Sequence, residues 1–117
     1  MKATLKICDL SVALGRMGGN KVLLGQMAQF LFDSAPELIN RLEQAAREGQ
    51  TDTVLRAAHN LRGLVVNFDA EAVAQTLLRI ESNGRAGDSS HMASDVEEAQ
   101  QRLNELLHEI QTSLPRV

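Results

Sequence analysis

Residues 92–114, MASDVEEAQQRLNELLHEIQTSL, decide the class of fold, because their apolar side chains recur in steps of four and three. That spacing is the period of an α-helix and differs from the two-residue alternation of a β-strand. The apolar stripe comprises Met92, Val96, Ala99, Leu103, Leu106, Ile110 and Leu114. A stripe that follows a whole helix must be buried against partner helices, so this segment predicts an all-α protein.

Two helices are predicted before residue 50. The first is short, running from a cap at Asp9 to Arg16, and it ends before a pair of glycines. Asn20 is the predicted cap of the second, whose apolar stripe is Leu23, Met27, Phe30, Leu31, Leu38, Leu42 and Ala45. Because residues 34–37, Ser-Ala-Pro-Glu, fit a capping box with proline in the first turn, residues 21–48 form either one bent helix or two.

Two more helices are predicted in the middle of the chain. One carries an apolar pattern over residues 54–68 and begins at Thr51 or Asp52. Asp69 is the predicted cap of the next helix, which covers residues 70–83 and stops at a glycine.

Short connections between these helices favour antiparallel neighbours. The last helix begins between Asp88 and Asp95, because a second capping box, Ser-Asp-Val-Glu at residues 94–97, competes with an earlier start. We therefore predict an all-α, antiparallel (up-down-up-down) four-helix bundle with a short extra N-terminal helix over one end. It forms a single domain of residues 1–117, with the bundle at about residues 9–114.

Composition excludes several classes of function. A net charge of −3 offers no basic surface for nucleic acid. No stretch approaches the roughly 20 apolar residues of a membrane span, and the N-terminus lacks the apolar run of a signal peptide, so we expect a cytoplasmic protein without direct membrane contact. The single cysteine, Cys8, can form no internal disulfide and is expected to be a packed or incidental thiol.

The segment 54–68 is unusual because a histidine stands opposite its apolar face. In a helical projection His59 lies roughly 160° from the centre of that face, so its ring should point into water. By the rule that residues three and four apart are neighbours, the ring is surrounded by Leu55, Arg62, Gly63 and Val66.

The neighbours of His59 point to a reactive site. Gly63 inside a helix costs about 1 kcal/mol relative to alanine, and its missing side chain opens a path to the ring for another protein. Arg62 can pair with negative charge placed on the histidine, while Leu55 and Val66 suit an apolar docking contact. An imidazole with a pKa of about 6.5 is partly neutral at cell pH and can accept a phosphoryl group.

The stretch Ala57-Ala58-His59-Asn60-Leu61-Arg62-Gly63 resembles the motif of the histidine phosphotransfer (HPt) family. That motif is alanine-histidine, a variable residue, leucine, lysine or arginine, and glycine within a helix. Asn67, Ala70 and the pair Ile80-Glu81 stand where the family has similar residues. The resemblance extends over about residues 10–112.

The resemblance implies that His59 is phosphorylated and carries the group between receiver-domain aspartates in a two-component phosphorelay. It also implies that Arg62 steadies the phosphate and that Gly63 gives the receiver access. Such a chain is a phosphoryl carrier and not an enzyme with kinase activity. It needs no cofactor of its own, because Mg²⁺ is expected on the partner receiver domain. The expected partners are response-regulator receiver domains, a hybrid sensor histidine kinase, or both, and the chain is expected to be a monomer.

Four positions depart from the family pattern. Arg62 replaces the commoner lysine, which keeps the charge but adds a planar fork. Leu64 and Val65 stand where small hydroxyl residues are frequent, and they indicate tighter core packing. Asp69 stands where glycine is common, and we interpret it as the cap of a helix.

Two other functions stay open on the residues alone. One is a non-catalytic adaptor that binds a receiver or kinase through Leu55, Gly63 and Val66; the other is a dimerisation module that uses the last helix. His91 and His108 are expected to be solvated. No HxxxH or HExxH spacing occurs, so no metal site is expected.

Overall fold

A computed structural model describes residues 5–117, and all regular elements in this part of the chain are helical. Its five α-helices are α1 (Leu10–Arg16), α2 (Lys21–Arg47), α3 (Thr51–Val65), α4 (Glu71–Arg85) and α5 (Met92–Ser113). Single 3-10 turns follow α3 at Val66–Phe68 and α5 at Leu114–Arg116. The prediction of an all-α protein is confirmed. In the described part of the chain, no helix combines the length and the apolar character that crossing a membrane requires.

The first two helices begin at the predicted caps. The Asp9 side chain accepts a hydrogen bond from the backbone N–H of Val12, and the Asn20 side chain accepts one from that of Leu23. Each bond satisfies a donor that the first turn of a helix leaves without an intrahelical partner. Both predicted helix starts are confirmed.

The second helix is continuous over 27 residues, although Pro36 lies inside it. Proline removes one backbone donor and crowds the preceding turn, which normally kinks or ends a helix. Here the buried side chains before and after the proline lie on one stripe, so packing holds the two halves together. The stripe is Leu24, Ala28, Leu31, Ala35, Ile39, Leu42 and Ala45.

This stripe is rotated from the predicted one. Phe30, predicted to lie in the core, is 60% exposed, and Leu23 is also exposed. Ala28 and Ala35 are fully buried instead, because small side chains let neighbouring helices approach closely. Two stripes overlap on α2, one with Phe30 and one with Ala28. Because phenylalanine is more hydrophobic than alanine, the prediction chose the stripe with Phe30, which is wrong.

Asp69, between α3 and α4, is not the cap of a helix, so that prediction is wrong. Its backbone is left-handed, with φ +55°, a conformation in which glycine has the least steric cost. Its carboxylate accepts hydrogen bonds from Lys6 at 2.6 Å and from Arg16 at 2.9 Å. The residue in the cap position of α4 is Ala70, which has no side-chain hydrogen bond to offer. Asp69 thus ties the N-terminal segment to the end of α3.

The boundaries of the later helices differ from prediction by a few residues. α4 continues to Arg85 through Gly84, where we expected it to stop. α5 begins at Met92, inside the predicted interval, and the Ser94 hydroxyl donates to the carbonyl of His91 rather than capping a later start.

Helices α2 to α5 enclose a core of mainly aliphatic side chains, to which the turn after α3 adds Phe68. α2 contacts α3 and α5, and α4 contacts the same two helices, while α1 lies against α2 and the 3-10 turn after α3. The side chains of α5 that point into the core are those of the predicted stripe, with Val96, Ala99, Leu103, Leu106 and Ile110 buried. α3 therefore has a helix on each flank, and its outer face is left to solvent.

The contacts between α3 and α4 set the relative direction of these two helices. Leu55, early in α3, lies against Gly84, late in α4. His59, one turn further along α3, contacts Glu81, one turn earlier in α4. α3 and α4 therefore run in opposite directions, and side chains one turn apart on each helix meet across the interface.

Candidate functional site

His59 lies on the solvent side of α3, where the helical projection predicts it. Its side chain is 63% exposed, whereas those of Ala58 and Leu61 are buried in the core. The ring needs no movement of the backbone to become accessible. A partner as large as a protein can therefore reach it.

A carboxylate on α4 forms a hydrogen bond with the ring of His59. Nδ1 of His59 lies 3.1 Å from Oε1 of Glu81, which is a hydrogen-bond distance. The Glu81 side chain is fully buried, so packing fixes its orientation. Because a carboxylate can only accept, the hydrogen of this bond sits on Nδ1 of the neutral ring. Nε2 is then the nitrogen with a free lone pair.

Basic side chains surround the Glu81 carboxylate. Arg62 donates from Nε to Oε2 at 2.5 Å and from a terminal nitrogen to Oε1 at 3.3 Å. Arg85, one turn after Glu81 on α4, brings a terminal nitrogen to 3.6 Å from Oε1. Burial opposes ionisation of Glu81 and is the largest single influence on its pKa. The hydrogen bonds from Arg62 and His59 together outweigh burial, so the pKa is lowered and Glu81 is ionised at neutral pH.

Arg62 lies beside the histidine as predicted, but it is already engaged. One of its terminal nitrogens is 3.4 Å from Nδ1 of His59. The hydrogen bond to Glu81 raises the pKa of Arg62, and its side chain is only 30% exposed. The sequence places Arg62 one turn from His59 but gives no sign that a buried carboxylate binds it.

Gly63 lies on the exposed surface of α3, one turn after His59. Beyond its two chain neighbours and the backbone of its own helix, no described atom lies within 4 Å of the position that a Cβ would occupy. Val66, in the 3-10 turn that follows α3, is exposed as predicted. The outer face of α3 thus combines an open backbone position with an apolar side chain.

Leu55 differs from its prediction as an outward-facing residue. It is half-buried and packs onto α4, where a Cβ added to Gly84 would lie 2.8 Å from its Cδ2 atom. Gly84 therefore lets the two helices approach closely beside the site. Leu55 serves this packing, and only part of its side chain is left for a partner.

The sequence reasoning missed an apolar surface on α2 next to the site. Two grooves, of about 160 and 300 Å³, lie between α2 and α3. Phe30 of α2 and Leu64 of α3 line both of them. Asn60, the residue after His59, lines the second groove. Val22 adds a further exposed apolar side chain on α2. The sequence feature that could have indicated this surface is the number of large apolar residues on α2. They are too many to be buried along one stripe.

The other residues with reactive side chains lie elsewhere. His91 and His108 are exposed, at the start and near the end of α5. Cys8 is half-buried against the core, and burial, followed by the charge of Glu109, raises its pKa to about 11. In residues 5–117, no three side chains of the metal-ligating types converge.

Comparison with known proteins places these residues in a wider context. The family model described as Hpt domain matches residues 26–113, a stretch that includes His59 and Glu81. A solved structure with a similar fold is the HPT domain from the Hpt sensor hybrid histidine kinase from Shewanella. It has a TM-score of 0.84 and 18% sequence identity, and the match covers 97% of this chain and 98% of that chain. At this identity the likeness shows the fold alone. No curated protein matches the sequence significantly.

Proposed function

The chain belongs to the Hpt domain family, and from this premise we propose that it carries a phosphoryl group on His59 within a two-component phosphorelay. The observation that supports this most directly is the hydrogen bond from Nδ1 of the exposed His59 to the buried Glu81. It leaves Nε2 free on the side of the ring that a partner can reach. A nucleophile held in this way needs no pocket of its own, because the partner supplies the rest of the reaction site.

The proposed transfer begins when the Nε2 lone pair attacks the phosphorus of an aspartyl phosphate on a receiver domain. As the N–P bond forms, the bond from phosphorus to the aspartate oxygen breaks, and its electron pair returns to the aspartate carboxylate. The ring keeps its proton on Nδ1 and becomes a phosphoimidazolium, whose positive charge faces Glu81. Attack by a second receiver aspartate reverses these steps and restores neutral His59.

The surroundings of the ring support the partners that we propose. Arg62 supplies positive charge beside the phosphorylated ring, and Gly63 lets the backbone of a receiver domain approach. Val66 and Phe30 are exposed apolar side chains that a receiver domain can contact, together with the exposed part of Leu55. The Mg²⁺ that assists the transfer belongs to the receiver domain. A monomeric state and a cytoplasmic location stay predictions.

For the architecture, we propose the antiparallel up-down-up-down bundle of α2 to α5, with α1 over one end, as a single domain of residues 1–117. The opposite directions of α3 and α4 and the closed series of contacts from α2 to α5 and back support this arrangement. So do the short connections, such as the one between Arg47 and Thr51.

Intact-mass measurement after incubation with a phosphorylated receiver domain, or with phosphoramidate, tests the proposed function. We expect the wild-type chain to gain one phosphoryl group that is stable in alkali and lost in acid. His59→Gln should gain none, whereas His108→Gln, which alters an exposed histidine on α5, should behave as the wild type. A folded, helical wild-type chain that gains no phosphoryl group from either donor would overturn the proposal and favour a non-catalytic adaptor.

A further inference from the structure

Arg85 is held far more loosely at Glu81 than Arg62 is. Its contact with Oε1 is a single one, at 3.6 Å, which is an ion-pair distance longer than a hydrogen bond. Its side chain is 62% exposed, so water can replace most of what this single long contact, one turn apart on a helix, contributes. Arg85 can therefore leave the carboxylate at small cost.

Arg62 is in the opposite situation. It donates two hydrogen bonds to Glu81, one to each carboxylate oxygen. If it moved away, a fully buried carboxylate would lose its main partner, and that is costly in a protein interior. Arg62 is thus a fixed part of the site, whereas Arg85 is movable.

The charges at Glu81 favour a second anion nearby. The guanidinium groups of Arg62 and Arg85 face one carboxylate, so these side chains carry a net positive charge while His59 is neutral. A phosphoryl group on the ring brings close to two negative charges at neutral pH. Such a dianion competes with Glu81 for whichever guanidinium is released most easily.

Arg85 is also within reach of the phosphorylated ring. It contacts the same carboxylate oxygen, Oε1 of Glu81, that accepts the hydrogen bond from Nδ1 of His59. Its guanidinium group and the imidazole therefore meet at one carboxylate oxygen. Rotation about the bonds of a long, exposed side chain is enough to bring it to phosphoryl oxygens on Nε2.

We propose that Arg85 moves from Glu81 to the phosphoryl group when His59 is phosphorylated, while Arg62 stays on Glu81 and keeps the ring in position. The inference rests on the proposed function and assigns a phosphate-binding role to a residue outside the α3 motif. A guanidinium group binds two phosphoryl oxygens at once. Its contacts with the dianion weaken as the P–N bond loosens, so Arg85 should slow hydrolysis and shift the transfer equilibrium toward His59.

The lifetime of the phosphorylated chain tests this role. Full-length wild type, Arg85→Ala, Arg85→Lys and Arg102→Ala would be phosphorylated with phosphoramidate, freed of donor, and followed by intact mass at neutral pH. Arg102 is a matched control, since it is an exposed arginine paired with Glu105 on α5. We expect the phosphoryl group to be lost about three- to tenfold faster from Arg85→Ala, at an intermediate rate from Arg85→Lys, and at the wild-type rate from Arg102→Ala.

A second readout separates phosphate binding from a structural role. The phosphorus-31 chemical shift of phosphorylated His59 should change in Arg85→Ala and not in Arg102→Ala, with equal helix content by circular dichroism. Equal lifetimes for Arg85→Ala and wild type would overturn the inference, even though His59 is phosphorylated. If the wild-type chain itself accepts no phosphoryl group, the proposed function fails, and the role of Arg85 fails with it.

Discussion

Helix α4 is joined to its neighbours on two sides by clusters of arginine and carboxylate side chains, and the two clusters have opposite charge balances. Toward α3, the carboxylate of Glu81 meets two guanidinium groups. Toward α5, the guanidinium of Arg79 meets two carboxylates, those of Asp95 and Glu98. The first cluster has an excess of positive charge and includes the imidazole of His59. The second has an excess of negative charge and includes no histidine among the described residues.

The clusters also differ in how many of their polar groups are hydrogen-bonded. In the α5 cluster, Thr76 donates to Glu98 at 2.8 Å, and Asn83 donates to Asp95 at 3.4 Å, so the carboxylates are occupied from both sides. In the α3 cluster, the His59 side chain is 63% exposed, and Nδ1 is the ring nitrogen that contacts Glu81. The same kinds of group thus form a closed structural link on one side of α4. On the other side they leave an excess of positive charge beside an exposed imidazole.

Replacing one carboxylate in each cluster tests this difference most strongly. Glu81→Gln should lower the initial rate of His59 phosphorylation by about 10- to 100-fold, because an amide can donate to Nδ1 and favour the tautomer with hydrogen on Nε2. Glu98→Gln should leave the rate unchanged. The measurement is the rate of mass gain with phosphoramidate as donor, and equal rates for the two variants would contradict the assigned difference.

A smaller effect is expected when the arginine of each cluster is removed. Arg62→Met should lower the free energy of unfolding by about 2 kcal/mol, since it deprives a buried carboxylate of two hydrogen bonds. Arg79→Met should cost about 1 kcal/mol, because Arg79 is 46% exposed and water can replace it. Urea unfolding at neutral pH measures both values. A larger loss for Arg79→Met would show that the α5 cluster is the more buried link in solution.

The smallest expected effect is the change with pH of a stability loss in the α5 cluster. The hydrogen bond from Thr76, followed by that from Arg79, lowers the pKa of Glu98 below its usual 4.5. The stability gained from this bond is therefore complete above the unfolded-state pKa and is lost as pH falls through the folded-state pKa. Thr76→Val should cost about 1 kcal/mol at pH 7, a modest value because Glu98 is partly exposed, and less at pH 3. Urea midpoints at both pH values test this, and an equal loss at each would refute the linkage.

Spacing along the chain was enough to predict the helices and the face that His59 occupies. The caps at Asp9 and Asn20 mark helix starts by local chemistry, which a sequence displays directly. The outward direction of His59 follows from the buried residues around it on α3. The rotation of α2 did not follow, because Phe30 and Ala28 both fit a helical stripe, and only the close approach of neighbouring helices selects alanine.

The role of Glu81 could not be derived from spacing either. It lies 22 residues from His59 in the chain, and the rule for neighbours on a helix reaches only three or four. The one signal was the family resemblance at Ile80-Glu81, which marks a position without giving its contact. Leu55 was misjudged for the same reason, since its packing onto Gly84 depends on the distance between two helices.

The contacts of Asp69 determine how easily residues 5–20 detach from the bundle. Its ion pairs with Lys6 and Arg16, together with the backbone bond from Asp9 to Phe68, attach residues 5–20 to one corner of the bundle. Breaking these few contacts exposes much less apolar surface than unfolding α3, so this segment should open as a separate unit. Its amide hydrogens should then exchange with solvent faster than those of α3, and faster still at high salt, which screens the ion pairs. Helix α3, which carries His59, should stay folded while this corner opens and closes.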